Sequence, residues 1–142
     1  MPQTTTHDLS TTLRIAVARL SRRLRAEKAD HELSDTQIST LAFVVRSGAR
    51  TIGELSDYER VKPPSMNRTI NRLEEAGYVQ RTPDADDGRK VVVIATDGGR
   101  ELVAETRRRR DAWLHKRLRT LTREQRDTLA EAAAIIRELA DS

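Results

Sequence analysis

Between Lys62 and Thr96 the chain reads KPPSMNRTINRLEEAGYVQRTPDADDGRKVVVIAT, a stretch crowded with side chains able to hydrogen-bond a base edge or a phosphate. A helix opening at Pro63 gathers Met66, Ile70 and Leu73 into one apolar stripe. Its opposite face then carries Pro64, Arg68, Asn71 and Arg72, flanked by Ser65 and Asn67. Arginine can fork to guanine O6 and N7, asparagine to adenine N6 and N7, and serine to either. The N-terminus of such a helix adds free N–H groups and partial positive charge, both suited to phosphate. Ser, Asn and Thr are weak helix formers, whereas the other solvated helices of this chain rely on Arg, Glu and Asp. That contrast favours recognition over a merely polar exposed face, which is the plainer alternative.

A second clue follows the helix. The run DADDGRK places Arg89 and Lys90 just after a tight turn, with Asp87 close enough to fix the guanidinium. An arginine held at a hairpin tip suits a narrow minor groove, where the negative potential is deepest; a mobile surface turn is the alternative. Other chemistries lack their residues. With no cysteine, the chain can form no disulfide, thiolate metal site or thiol redox switch. His7, His31 and His115 are too scattered to read as a metal site. No glycine loop cradles a phosphate and no nucleophile stands beside a base, so neither catalytic residues nor a cofactor are expected.

The elements that must position these groups are legible from periodicity and punctuation. Leu13, Val17, Leu20 and Leu24 form one stripe of a first helix starting at Asp8, after a flexible tail over residues 1–7. Ser34 with Gln37 and Thr51 with Glu54 are capping boxes that open a second and a third helix. Pro63 and Pro64 fit the first turn of the fourth, and Gly77 sits where a left-handed cap is wanted. YVQRT and KVVVIA read as two strands around Asp87-Gly88, a strong hairpin signal. Thr96 caps a long fifth helix, and Thr122 with Gln125 opens a sixth. The order α-α-α-α-β-β-α-α predicts a mainly α fold with a small β-hairpin, a winged helix-turn-helix. In that motif the last of three short helices enters the major groove.

Length and composition agree with this. The 142 residues suit one domain, divided as helix 8–30, the winged region 34–96 and two C-terminal helices over 97–142. Hydrophobic residues make up 37% and aromatics 3%, so the core must be aliphatic and suits amphipathic helices. A net charge of +4 and a pI near 9.9 are compatible with an anionic partner. Neither a membrane-spanning run nor a signal peptide is expected, which makes a cytoplasmic location the default. The first helix has one apolar stripe and the last carries AAAIIRELA, so both need something to bury against. A partner subunit is favoured for the last helix over packing within the monomer.

The segment from Thr51 to Glu101, with RLEEAGYVQR, DDGR and TDGGRE in register, resembles the core of the MarR family of bacterial transcription regulators. The flanking helices match in number, order and length, so the resemblance spans nearly the whole chain. It implies major-groove contacts from Ser65, Asn67, Arg68, Asn71 and Arg72, and a minor-groove contact from Arg89 oriented by Asp87. Lys62, Thr51 and Lys90 would touch phosphate. It also implies a homodimer on a pseudo-palindromic operator in double-stranded DNA, with half-sites roughly 10 bp apart. Such a regulator is most often a repressor, released by a small aromatic or phenolic ligand. Phe43, Trp113 and His115 are the candidate walls of a ligand cleft, against ordinary interhelix packing for each. The Pro63-Pro64 pair and the run Arg107 to Arg110 depart from the commonest family pattern; the latter reads as a solvated face with some interhelix ion pairs. A helical protein–protein interaction module on the same scaffold is the competing function. The polar Ser/Asn/Arg face argues against it, because protein hot spots prefer buried aromatic and apolar anchors.

Overall fold

The computed structural model describes residues 3–142 and contains six helices and one antiparallel hairpin. Helix α1 spans Thr6–Ala26. It begins two residues before the expected Asp8 because the Thr5 side chain accepts from the Asp8 N–H and so caps it. Of the expected tail, Met1 and Pro2 lie outside the described residues, while Thr6 and His7 are already helical. Helices α2 (Asp35–Ser47), α3 (Ile52–Glu59) and α6 (Arg123–Ala140) each open with the capping box read from the sequence. Helix α5 runs from Asp97 to Leu118 with Thr96 as its cap.

Helix α4 covers Pro63–Glu75, its two prolines in the first turn where a missing N–H costs nothing. It ends in a Schellman motif: the Gly77 N–H donates to the Glu74 carbonyl at 3.0 Å and the Tyr78 N–H to that of Leu73 at 2.9 Å. Gly77 has φ +82°, a conformation that L side chains rarely adopt. The chain then enters β1 (Val79–Pro83), which pairs with β2 (Val91–Ala95) in the register Arg81↔Val93. The hairpin is not closed by a two-residue Asp-Gly turn. A longer connection runs between the strands, with the Asp84 N–H bonded to the Lys90 carbonyl and the Lys90 N–H to that of Asp87. Gly88 is not among the glycines with positive φ, so the primed turn that Asp-Gly favours is not made.

One aliphatic core holds these pieces together. Leu33 precedes α2, which contributes Ile38, Leu41 and Val44; α3 gives Leu55, and α4 gives Met66, Ile70 and Leu73. Val79, Val93, Leu102 and Val103 close it from the wing and α5. Burying each such side chain contributes roughly 1.5–3 kcal/mol, so the stripe that fixes α4 in depth also fixes which of its faces stays outside. Arg50 joins β2 through a pair of backbone bonds with Val93, at 3.1 and 2.7 Å, tying the wing to the α2–α3 corner. At the start of α5, Gly99 packs so tightly that an added Cβ would lie 2.1 Å from the Tyr78 carbonyl oxygen.

Helices α1 and α6 differ from the rest in having no buried residue. Helix α5 anchors the end of α1 through its arginine run. Arg110 Nε donates to the Leu24 and Glu27 carbonyls, and Arg109 Nη1 to that of Lys28. Arg108 turns back on its own helix to Glu101 and Glu105. Arg107, Arg108 and Arg109 are exposed, as expected of a solvated face, but Arg109 and Arg110 reach the neighbouring segment through hydrogen bonds to carbonyls and not through the interhelix ion pairs expected.

Candidate nucleic-acid interface

With Met66, Ile70 and Leu73 buried, Pro64, Arg68 and Asn71 stand on the exposed side of α4. Arg68 Nη2 donates to Ser65 Oγ at 3.1 Å, a single weak tether on an otherwise free guanidinium. Ser65 is half-buried at one flank of the face. Lys62 is exposed at the position preceding the helix and makes no side-chain cap, which leaves its ammonium free at the positive end of the helix dipole. Thr51 sits at the head of α3, where its hydroxyl is engaged in the capping box with Glu54.

The other side chains of the expected set are held by partners. Asn71 Oδ1 accepts from Arg81 Nη2 at 2.9 Å, and Asn67 Oδ1 lies 3.5 Å from the same nitrogen. Asn67 Nδ2 also donates to the Pro63 carbonyl at 3.1 Å. Arg72 leaves the face altogether: it turns towards the loop before α2 and pairs with Glu32 at 3.3 Å. In that loop the Tyr78 hydroxyl donates to Asp30 at 2.7 Å. This bond, reinforced by the Glu32 backbone N–H, holds the Asp30 carboxyl below its ordinary range. Burial, then the same bond, pushes the Tyr78 phenol up.

One further arginine, Arg81, belongs to this face although no base-reading motif in the sequence marks it. It lies in β1, and Glu74 grips it twice, through its backbone N–H at 3.1 Å and its Nη1 at 3.0 Å. Glu74, Asn71 and Asn67 thus form one polar ladder along the wing side of α4, with Arg81 as the shared donor. The signal was an acid and a base flanking Gly77, which gains meaning only once the strand's direction out of the turn is known.

At the wing, Asp87 Oδ1 accepts from both the Arg89 N–H at 3.1 Å and Arg89 Nε at 3.3 Å. The Arg89 side chain is otherwise 94% exposed, and Lys90 beside it is exposed as well. Two basic elements therefore project from one unit, the head of α4 and the tip of the hairpin.

Phe43, Trp113 and His115 are not brought together as a ligand wall. Phe43 stacks on Tyr58 of α3 with ring centroids 3.8 Å apart, and the Arg46 and Arg50 guanidinium groups lie beside its ring. Trp113 is covered by Arg117 at 3.7 Å and flanked by Arg23, while His115 is exposed. The cleft between α2 and α5, about 250 Å³, is instead lined by Ile38, Ala42, Val103, Thr106, Arg107, Arg110 and Asp111. Among the described residues no cluster of three or more His, Asp or Glu could hold a metal ion. No described helix is long and apolar enough to cross a membrane.

Comparison with known proteins bears on the same region. A family model described as the MarR family matches residues 31–90. Over 133 residues the chain is 44% identical to the uncharacterized HTH-type transcriptional regulator Mb0904 of Mycobacterium bovis, covering 94% of this chain and 93% of that protein. Its fold is shared with Rv1404 from Mycobacterium tuberculosis, at TM-score 0.85 and 20% identity over 97% of this chain and 96% of that one. A MarR family protein from Bacillus stearothermophilus superposes at TM-score 0.83 and 21% identity, covering 100% of this chain and 99% of the other.

Proposed function

The chain belongs to the MarR family of winged-helix transcriptional regulators, and from that membership we propose that it works in the cytoplasm as a homodimeric repressor on a pseudo-palindromic operator. The observation that carries this reading is the exposed face of α4, with Arg68 and Asn71 at its centre, beside a wing whose Arg89 is 94% exposed and braced by Asp87. In this reading α4 enters the major groove with its N-terminus leading, so that Lys62 and the first N–H groups meet phosphate. Ser65, Arg68 and Asn71 face base edges, and Asn67 lines the wing side. Arg72 reaches the duplex only by exchanging Glu32 for a base or phosphate. Arg89 enters the minor groove, while Lys90 and the head of α3 at Thr51 touch the backbone.

Dimerisation is supported by the apolar residues that the single chain leaves open on its terminal helices: Leu9, Ile15, Val17 and Leu20 on α1, and Leu129, Ile135 and Leu139 on α6. Repression follows from occupancy, since a dimer covering two adjacent major grooves blocks the duplex to other proteins. Release by a small aromatic or phenolic compound is part of the same proposal. The α2–α5 cleft offers such a compound an apolar wall at Ile38, Ala42 and Val103 and guanidinium groups at Arg107 and Arg110. A ligand there would act by favouring a head spacing that no longer matches successive grooves.

Selection from a random duplex pool at near-physiological salt tests the proposal. The expected product is a pseudo-palindrome with half-sites about 10 bp apart, bound with an affinity that falls steeply as salt rises. Enrichment of no sequence would overturn it.

A further inference from the structure

A guanidinium carries only N–H donors, so the carboxamide atom that Asn71 presents to Arg81 Nη2 at 2.9 Å is its oxygen. Arg81 cannot readily swing away, because Glu74 holds both its backbone N–H and its Nη1. Its side chain is only 26% exposed, which limits competition from water. The Asn71 oxygen is therefore turned to the wing, and a base edge arriving at the open side of α4 meets Nδ2 instead. Asn67 is constrained by the same guanidinium and by the Pro63 carbonyl. Recognition of adenine by asparagine needs the opposite: an oxygen free to accept from N6 while the nitrogen donates to N7.

We propose that Arg81 is a positioning residue that sets the base preference opposite Asn71, making that carboxamide a donor that selects guanine over adenine. Guanine presents N7 and O6 as adjacent acceptors, a match for the two hydrogens on Nδ2. Adenine offers one acceptor, and its N6 donor faces a nitrogen that cannot accept. The inference rests on the DNA-reading role of α4 given above and goes beyond it in naming a base and the residue that chooses it.

The test is selection from a random duplex pool with the full-length protein and three variants, Arg81→Met, Asn71→Asp and Asn71→Ala, each checked for helical content. The native chain is expected to enrich guanine over adenine by roughly tenfold at one position of each half-site, and Asn71→Ala to lose that enrichment there alone. Arg81→Met removes the donors while keeping an unbranched stem, so the oxygen is released and preference at that position moves to adenine. Asn71→Asp leaves Arg81 engaged but replaces the outward donor with an acceptor, so the position moves to cytosine, whose N4 donates. This second variant decides the matter even if Arg81→Met fails to fold. Retention of guanine by Asn71→Asp, or uniformly weaker binding with guanine unmoved in Arg81→Met, would overturn the proposal and leave the DNA-binding reading intact. A native chain that enriches no sequence would overturn both.

Discussion

Arg89 stands at the wing tip with two bonds to Asp87 and no contact that the core depends on. Its removal should therefore cost the fold almost nothing, within about 0.5 kcal/mol, as for surface substitutions generally. Its loss should be felt on DNA. A guanidinium in a narrow minor groove reads potential and shape more than individual bases. Arg89→Ala is thus expected to weaken operator and unrelated duplex together, by roughly tenfold, and to reduce the slope of log K against log salt by about 1. Anisotropy titrations across a salt series would check both. A slope that does not change would place Arg89 off the duplex. Arg68 differs in kind: it sits on α4 with only Ser65 as a tether, so its loss should alter which sequences bind and not only how tightly.

Between elements, the Tyr78–Asp30 bond joins the end of α4 to the loop before α2, and it gives that joint a pH dependence. Asp30 is held below its ordinary value, so its contribution is present above that value and lost as pH falls through the folded one. Tyr78 is held above the usual phenol value, so its contribution is present below about 10 and lost as pH rises through the folded one. Tyr78→Phe should cost about 1 kcal/mol at neutral pH, kept small by solvent screening of a half-exposed pair. It should also flatten the stability profile below about pH 4 and above about pH 10, as urea unfolding across pH would show; equal losses at every pH would mean that packing alone was removed. The sequence made the elements themselves readable because each boundary is local. Ser34, Thr51 and Thr122 meet partners three residues away, and Gly77 needs only its own backbone. Asp87-Gly88 marked the hairpin itself, while the turn that closes it is a longer connection whose geometry the Asp84 and Lys90 bonds set. Arg81 and the Arg72–Glu32 pair were illegible for a related reason. Their partners lie across a strand–helix corner and across 40 residues, and no periodicity brings such groups together before the tertiary fold is known.

The whole molecule is unevenly finished. Its winged region closes around an aliphatic core, whereas α1 and α6 bury no residue and α6 has only sparse contact with any other element. Leu20, Leu114, Leu118, Leu129, Ala133 and Ile136 line an open apolar groove of about 410 Å³ between them. Apolar surface of this kind gains roughly 25 cal/mol for each Å² removed from water, so a second copy of the same helices is the partner that the proposed function requires. Because the winged core draws nothing from this groove, it should survive the loss of that partner. The double substitution Leu20→Asp with Leu129→Asp places like charges where two copies would meet. It is expected to yield a monomer in sedimentation equilibrium, with a circular dichroism spectrum that keeps the winged-region helices. Each head should then still bind a half-site, but the second binding event loses the effective concentration that the dimer supplies. Affinity for the full operator should fall by about a hundredfold or more, while affinity for an isolated half-site stays close to that of the native chain. A variant that remains dimeric would move the interface elsewhere on the molecule. A monomer that binds the full operator undiminished would mean that the two heads are not read together, and the half-site spacing would then have no physical basis.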